Sequence, residues 1–491
     1  MVSGTEAIPT ASKAPGVEPR RAKRLVFCFD GTWNRLDAPT PTNVVLTAES
    51  VLPRASDGTA QIIYYDEGVG TGKLERFRGG ILGAGLTKNL ADAYRHLIFN
   101  HEPGDEVFVF GFSRGAYTAR SFVGLLRNCG IVSRPQAARV GEAIALYESR
   151  SSATAPDAKA IRKLRSTLSP EVCTDAEDDA WRCENVPGYV PGKAAQLNVA
   201  YVGVWDTVGA LGVPKRYLIS NLMNRSTLFH DTDLSAVVRS ARHAVAIDET
   251  RDDFAPTLWT GLDELNRAAG SDPSADDAPY QQKWFPGDHG SVGGGGDYRG
   301  LSDQALDWVW DGARLAGLEL DASPASRIFS LQPEIRASLC NIDQAKVSWV
   351  AKATNAFWHR SARKNGPTRI SDVAISARQR WQAAAESLPE KKLYRPATLS
   401  GVAEALSADQ ASACPPPPVP NTFDVIVVRK NENLTKIAHR LYGDRRFAEA
   451  IFAMNRDKLT DVNRIYAGMS LRVPRREDLA SLDRQPPGVS H

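Results

Sequence analysis

The stretch Val107–Arg120, VFVFGFSRGAYTAR, decides the fold of this chain. Its apolar beginning predicts a buried strand, and the residues after Gly115 begin a helical pattern. Between them lies Gly111-Phe-Ser113-Arg-Gly115. A sharp strand-to-helix turn of this kind lifts its central side chain above a sheet, and small flanking residues let the two backbones approach closely. We therefore interpret Ser113 as a candidate nucleophile, and the alternative is a tight turn without chemistry.

The order of the other predicted elements favours an α/β fold built on a doubly wound, mostly parallel sheet. Apolar strands run into turns in LVFCFDGTWN, AQIIYYDEGVGTG, DEVFVFGF, LNVAYVGVWDTVGA and KWFPGDHGSVGGGG. Helical spacing follows in LTKNLADAYRHLIFN and GAYTARSFVGLLRNCG. Ligands of such sheets bind beyond the carboxyl ends of the strands, so we expect the site to lie among these turns.

Changes in composition divide the chain into five segments. The largest, 23–400, is the expected catalytic domain, with 132–195 and 324–400 as mainly helical additions. The others are a disordered start (1–22), a Pro-rich linker (401–422), a strand-helix-helix-strand domain (423–474) and a disordered tail (475–491). Four consecutive prolines in SADQASACPPPPVPNT favour an extended polyproline rod between the two domains.

Charge and cysteine content limit the possible functions and compartments. The 491 residues have a net charge of +3, so no nucleic-acid partner is expected. Six cysteines without a CxxC pair predict neither a disulfide scaffold nor a zinc ribbon, although Cys173 and Cys183 either pair or remain thiols. Without the apolar core of a Sec signal peptide or a membrane-spanning run, we expect synthesis in the cytoplasm. Export to the periplasm or a target cell would then use a non-Sec route.

A serine nucleophile requires a general base, and α/β-hydrolases supply it from a histidine late in the chain. His289 is the preferred base because it lies in FPGDHGSVGGGG, at a strand end before a glycine-rich loop. His243 lies in RSARHAVAIDE, whose helical pattern indicates local packing instead. The other histidines after Ser113 are His230, His359, His439 in the C-terminal domain and His491 at the last position of the sequence.

The base in turn requires an acid that orients it. Asp206 is the preferred acid because it directly follows a buried strand in VGVWDTVGA, where its other reading is a turn or helix-capping residue. Asp248 is a weaker candidate. Asp288 is a poor one, since it is adjacent to His289 and neighbouring strand residues point to opposite faces.

An oxyanion needs backbone N–H donors. Arg114 follows the nucleophile and supplies one, and Gly31 or Thr32 in FDGTWN supplies the other. Asp30 would hold that loop in shape. Its alternative role as a metal ligand lacks a second carboxylate or histidine at ligand spacing, so neither a metal nor a cofactor is expected.

Segments spread in order over 25–398 resemble a bacterial and fungal family of uncharacterised α/β-hydrolase domains that includes phospholipase effectors delivered by type VI secretion. They are FCFDGTWN followed by TNV, YYDEGVGTG, GFSRGAYTAR, GVWDTVGALG, HAVAIDE followed by PTLW, WFPGDHGSVGGG and YRPATL. The resemblance implies an α/β-hydrolase-like fold and a catalytic triad of Ser113, Asp206 and His289. It also implies hydrolysis of carboxylic esters, with phospholipids as the substrate class.

The segment 423–474 resembles a LysM module through LTKIAHRLYGD, IFAMNRDKL and IYAGMSLRVP. That resemblance implies binding of glycans that contain N-acetylglucosamine, such as peptidoglycan. The alternative is a docking module that binds protein or nothing.

Two functions follow as hypotheses. The first is a serine phospholipase or esterase effector with a glycan-binding tail, and the second is a catalytically inactive adaptor that the LysM-like domain targets. Expected partners are a phospholipid or other ester, a membrane surface contacted transiently, peptidoglycan, and a secretion-machinery or immunity protein. The apolar stretch 215–229, KRYLISNLMNRSTLF, is the candidate for the membrane contact.

Overall fold

The structure is a computed structural model, and it describes most of the chain between residues 22 and 474. The described residues are 22–31, 36–68, 81–149, 154–209, 234–321, 331–343, 363, 365–409, 423–429, 432–455, 459, 465 and 469–474. Several predictions from the sequence therefore fall outside them: those for Thr32, His230, His359, the apolar stretch 215–229, most of the linker and both terminal segments.

A parallel sheet forms the centre of the described chain. The strands before residue 321 are β1 (Arg24–Phe29), β2 (Gln61–Asp66), β3 (Glu106–Phe112), β4 (Val172–Cys173), β5 (Ala195–Gln196), β6 (Val199–Trp205), β7 (Ala241–Ala246) and β8 (Tyr280–Phe285). Within the described residues, six of them pair in the order β2-β1-β3-β6-β7-β8, all parallel. The order reverses between β1 and β3, and this is where doubly wound sheets open a crevice for ligands.

The strand β7 corrects the helical pattern expected around His243. All six of its residues are buried, and it pairs with β6 on one side and β8 on the other. Because both faces of a central parallel strand are covered, its residues show no alternation of polar and apolar character. A short buried strand of this kind cannot be distinguished from a buried helix by periodicity alone.

Helices cover both faces of the sheet. They are α1 (Asn43–Ser50), α2 (Ile81–Asn100), α3 (Arg114–Cys129), α4 (Val140–Glu148), α5 (Lys159–Leu168), α6 (Ala176–Asn185), α7 (Leu262–Ala268), α8 (His289–Gly293), α9 (Gly300–Leu315), α10 (Ile375–Gln382) and α11 (Ala403–Ala408). Phe27 of β1 packs with α2 and α3, whereas its neighbour Cys28 belongs to the opposite cluster, with α1 and α9. Alternate strand residues thus supply two separate cores, as a sheet covered on both sides requires.

The regions expected as helical additions differ from each other. Residues 132–195 contain α4, α5 and α6, and Asp178 is buried there between Arg165 and Arg182, at 2.8 and 2.9 Å. Cys173 and Cys183 in this region are both free thiols. The described part of 324–400 is instead mostly irregular chain, with α10 and short 3₁₀ turns.

The linker predicted to begin at residue 401 begins later. The chain remains helical from Ala397 to Ala408, and Val402 and Leu406 are buried in a third cluster together with Trp381 and Leu399. Val402 and Leu406 are four positions apart and therefore lie on one face of a helix, which holds this stretch against the domain.

The C-terminal region has the strand-helix-helix-strand order expected from the sequence. Its elements are β9 (Phe423–Val427), α12 (Leu434–Tyr442), α13 (Ala448–Ala453) and β10 (Ser470–Pro474). The strands β9 and β10 are antiparallel, and a small core that includes Ile437, Ile451 and Leu471 fills the space between the elements. Asn455 donates to the Arg472 carbonyl at 2.8 Å and accepts from its N–H at 2.9 Å.

None of the helices in the described ranges is long and apolar enough to cross a membrane.

Candidate active site

Ser113 occupies the sharp turn that joins β3 to α3. Its φ of 59° and ψ of −123° lie where few residues other than glycine are found. A Cβ on Gly111 would lie 2.6 Å from the Gly115 carbonyl oxygen, and a Cβ on Gly115 would lie 2.2 Å from the Phe29 carbonyl oxygen. Both positions therefore require glycine, because the backbones of β1, β3 and α3 meet at this turn.

His289 lies within hydrogen-bond distance of Ser113. Its Nε2 is 2.8 Å from the Ser113 Oγ, although 176 positions separate the two residues in the chain. The imidazole packs against the rings of Phe112 and Phe254, whose centroids are 4.6 and 4.9 Å from its own. His289 begins α8, which Asp288 caps by accepting the Ser291 N–H at 2.9 Å.

Asp206 is fully buried and contacts the other side of the imidazole. Its Oδ2 is 2.7 Å from His289 Nδ1, and its Oδ1 accepts the Ala246 N–H at 2.9 Å. The residue directly follows β6 with a φ of 34°, and its own N–H donates to the Ala244 carbonyl at 2.7 Å. Backbone groups of β7 thus hold both the carboxylate and the main chain of Asp206 in place.

Arg363 keeps the buried Asp206 ionised. Burial by itself raises the pKa of a carboxyl group, but the Arg363 guanidinium 3.0 Å away and the hydrogen bond to His289 lower the pKa of Asp206 to about 2. The carboxylate therefore only accepts hydrogen bonds at neutral pH. His289 Nδ1–H is then the donor to it, and Nε2 remains to accept the Ser113 hydroxyl proton.

The expected oxyanion donors have different surroundings. Arg114 is the first residue of α3, and the first N–H groups of a helix have no acceptor within that helix. The Gly31 N–H already donates to Asp30 Oδ1 at 2.6 Å. The other Asp30 oxygen accepts from Thr42 Oγ at 2.7 Å and from Tyr65 OH at 2.9 Å. Asp30 therefore connects the loop after β1 to β2 and to Thr42, which caps α1. The Gly31 N–H, one of the expected oxyanion donors, is bonded to Asp30.

His243, an alternative base, has a structural environment. Its Nε2 accepts the Thr207 N–H at 3.2 Å, and its Nδ1 donates to Gln282 Oε1 at 2.9 Å. Burial, reinforced by the charge of Arg120, lowers the pKa of His243 to about 3. The ring is therefore neutral and held within the sheet.

The alternative acids also have other partners. Asp248 accepts the Gly287 N–H and the Tyr394 hydroxyl, both at 2.7 Å, and Asp288 caps α8. His439 lies in the C-terminal region, on α12. Among the described residues, no group of three or more His, Cys, Asp or Glu side chains could hold a metal ion.

Arg363 is the site residue that sequence reasoning missed. It lies in the basic stretch HRSARK, where no spacing or turn pattern relates it to Asp206, which is 157 positions away. Only the path of the folded chain brings the two charges together.

Hydroxyl, imidazole and carboxylate thus form one chain of hydrogen bonds. Such an arrangement can transfer the hydroxyl proton to the imidazole while the oxygen attacks an electrophilic carbon, and the carboxylate stabilises the imidazolium that forms. Contact with the rings of Phe112 and Phe254 limits the movement of the imidazole.

Individual relatives cover only part of this chain or resemble it weakly. The uncharacterized protein YEL023C of Saccharomyces cerevisiae is 26% identical over 263 residues, which are 50% of this chain and 34% of the yeast protein. A structure of the Tle1 effector bound to the VgrG spike of the type VI secretion system has 19% identity and a TM-score of 0.30. The alignment covers 59% of this chain and 56% of that one.

An uncharacterized protein from Pseudomonas aeruginosa has 16% identity and a TM-score of 0.34, over 81% of this chain and 60% of that one. Both structural likenesses are too low to carry an argument. The chain therefore spans about a third of the yeast protein's length and less than two thirds of either solved chain.

The chain also matches a protein family. Residues 23–312 match the family described as "T6SS, Phospholipase effector Tle1-like, catalytic domain". This range contains Ser113, Asp206 and His289 and ends before Arg363. Because the match extends over more than half of the chain, this chain belongs to the family of Tle1-like phospholipase effectors of type VI secretion.

Proposed function

We propose that this chain hydrolyses carboxylic ester bonds of phospholipids, with Ser113 as nucleophile, His289 as general base and Asp206 as the acid that orients it. The observation that carries the proposal is the unbroken contact of the three side chains, at 2.8 and 2.7 Å. Membership of a phospholipase effector family supports the ester-hydrolase class and the lipid substrate.

The reaction proceeds in two halves. Ser113 Oγ attacks the ester carbonyl carbon while its proton moves to His289 Nε2, and the Arg114 N–H binds the developing oxyanion. The intermediate expels the alcohol, which takes the proton from Nε2, and an acyl-serine remains. Water then attacks the acyl-serine carbonyl carbon while its proton moves to His289 Nε2. The fatty acid leaves as Nε2 returns the proton to Ser113 Oγ. Asp206 stays ionised throughout and stabilises the imidazolium.

The test is mass-spectrometric lipid analysis of phospholipid vesicles treated with the wild type or with Ser113→Ala. We expect Ser113→Ala to lose at least about 1,000-fold in rate, because the remaining site can bind but not acylate. Ser407→Ala is the matched control, since Ser407 is exposed on α11 and belongs to another part of the fold.

Two other outcomes would contradict the proposal in different ways. Equal and negligible turnover of phospholipids and short acyl esters by wild type and Ser113→Ala would favour an inactive adaptor. Labelling of Ser113 by a fluorophosphonate without phospholipid turnover would retain the nucleophile but change the substrate to a soluble or wall-linked ester.

For 423–474 we propose a LysM-like module that binds glycans of the peptidoglycan type. Support comes from the strand-helix-helix-strand order with its own small core. Co-sedimentation with insoluble peptidoglycan tests it: the full chain should pellet, and a chain that ends at residue 409 should stay in solution. If both stay in solution, the module has no glycan role.

The family also suggests how the protein would be delivered. A type VI effector would be exported without a Sec signal, would bind a component of the secretion machinery or an immunity protein, and would contact a membrane surface during turnover. Cross-linking in cells that express the secretion system, followed by identification of bound proteins, tests these partners. Recovery of ribosomal and housekeeping proteins alone would argue against them.

A further inference from the structure

The Asp206 carboxylate has a second charged partner besides the imidazole. Arg363 Nη2 lies 3.0 Å from Asp206 Oδ2 and 3.3 Å from Oδ1, and Arg363 Nε donates to the Glu249 carbonyl at 3.3 Å. The Arg363 side chain is only 4% exposed. Among the described residues, its Nη1 is buried without a hydrogen-bond partner. The guanidinium is therefore held chiefly by the carboxylate that orients His289.

The charges around His289 are balanced by specific pairs. The acidic groups near the ring are Asp206, Glu249 and Asp288, and the basic or titratable ones are Arg251, Arg363 and His243. Arg251 holds Glu249 through two bonds to its side chain, at 2.9 and 2.6 Å.

Asp288 is occupied at the start of α8, and His243 is neutral. Among the described residues, Arg363 is thus the cation in direct contact with the Asp206 carboxylate.

We propose that Arg363 is a positioning residue that fixes the Asp206 carboxylate and, by neutralising it, lowers the proton affinity of His289. An aspartate alone stabilises the imidazolium strongly in a buried site. A guanidinium on the same carboxylate opposes that effect, because its positive charge lies close to the imidazolium. The base then remains neutral, and able to accept the Ser113 proton, at more acidic pH.

The origin of Arg363 adds a structural consequence. The residues that match the family end at 312, so a segment beyond the matched catalytic region supplies this charge. The site is therefore complete only when Arg363 is in contact with Asp206, the residue that follows β6. The kinetic part of the proposal rests on the proposed function, whereas the effect on the imidazole does not.

The direct test is an NMR titration of the protein labelled with ¹⁵N-histidine, with His289→Gln used to identify the His289 resonance. We expect Arg363→Gln to raise the pKa of His289 by about one unit and Arg363→Lys to leave it close to the wild-type value. Arg369→Gln is the matched control, because Arg369 pairs with Asp263 and Asp372. An unchanged His289 titration in Arg363→Gln would overturn the proposal.

A second comparison covers the case in which Arg363→Gln does not fold because it leaves Asp206 buried and unpaired. This comparison is between Asp206→Asn and the double variant Asp206→Asn/Arg363→Gln. The double variant has no buried carboxylate that the loss of Arg363 could leave unpaired. We expect the double variant to have the higher His289 pKa, by about one unit. Equal values in the two would overturn the proposal.

Activity provides the third readout. The acid limb of the pH profile of kcat/KM should move to higher pH in Arg363→Gln by the same amount as the imidazole pKa, and Arg363→Lys should restore it. If the wild type hydrolyses no ester, the proposed function fails, and the NMR titration still decides the role of Arg363.

Discussion

At the scale of single residues, the site is built from strained backbone positions that neighbouring strands hold in place. Within the described residues, positive φ outside glycine occurs at Ser113, Asp206 and Lys391, so two of the three are candidate catalytic residues. Such conformations cost about 1–3 kcal/mol each and persist only where the surroundings determine them. Ser113 is fixed by its N–H bond to the Trp205 carbonyl at 3.0 Å and by the Val208 N–H donating to its carbonyl at 3.2 Å.

Gly115 tests how closely this turn is packed. In Gly115→Ala the new Cβ would lie 2.2 Å from the Phe29 carbonyl oxygen and 2.4 Å from that of Asp30. Backbone must move to accommodate it, so we expect a loss of about 1–3 kcal/mol in the free energy of unfolding by urea. Ester hydrolysis should fall at least about tenfold, because a displacement of about 1 Å in a reacting site is enough to slow the reaction strongly.

Gly141→Ala is the control for this substitution. Gly141 lies in α4 with nothing within 4 Å of an added Cβ, so we expect a gain of about 0.5–1 kcal/mol and unchanged hydrolysis. Equal effects of the two substitutions would show that helix propensity, not the close approach of β1 to α3, determines the result.

At the scale of elements, β7 is the strand that organises the site. Its backbone binds Asp206 at two points, and its His243 accepts the N–H of Thr207, the next residue along the chain. A protonated His243 would direct an N–H at the Thr207 N–H, so the ring must stay neutral. The contact therefore links the protonation state of His243 to the position of Thr207, which is the neighbour of Asp206 in the chain.

His243 should make the fold sensitive to acid. Its pKa is lowered from 6.5 to about 3, so below pH 6.5 the unfolded chain takes up a proton that the folded chain does not. Stability from this residue is complete above pH 6.5 and falls by up to about 1.4 kcal/mol per pH unit as the pH decreases toward 3.

Urea unfolding of the wild type and His243→Gln between pH 7 and 4 measures this effect. The stability advantage of the wild type should shrink as the pH falls, since glutamine cannot be protonated. The comparison is made between variants because Asp66 and Asp248, whose pKa values are raised by burial to about 7 and about 6, change stability in the opposite direction. A constant difference would contradict a neutral buried His243.

At the scale of the whole molecule, the last helix of the large domain marks where that domain ends. Gln382 donates to the Leu406 carbonyl at 2.6 Å and to the Asp409 carbonyl at 3.2 Å, so the chain is attached to α10 up to residue 409. The C-terminal region has a separate core of its own residues. The two regions should therefore contribute separately to stability.

Truncation tests this division. A chain that ends at residue 409 should hydrolyse esters at the full-length rate, with a free energy of unfolding of the large domain within about 0.5 kcal/mol of the original value. A chain that ends at residue 400 loses the buried side chains of Val402 and Leu406 and should be about 3–5 kcal/mol less stable. Circular dichroism in urea measures both. Equal stability of the two truncated chains would show that residues 401–409 do not stabilise the large domain, which would then end before residue 401.

The sequence by itself determined the features that depend on local chemistry. Apolar strands that run into glycine-rich turns indicated β1, β3, β6 and β8, and two glycines around Ser113 were required by backbones in contact. Ser113 and Asp206 directly follow the strands β3 and β6, and His289 begins α8 shortly after β8. Neighbouring residues in the sequence are enough to identify such positions. The structure brings these three side chains within hydrogen-bond distance.

Only the tertiary structure decided the features that depend on distant parts of the chain. The strand β7 has no periodic pattern because both its faces are buried, and the Gly31 N–H is used by Asp30 because of the way the loop after β1 folds. Arg363 reaches Asp206 from 157 positions away. The physical reason is that burial and charge pairing depend on which segments meet in space, and no local pattern in a sequence records that.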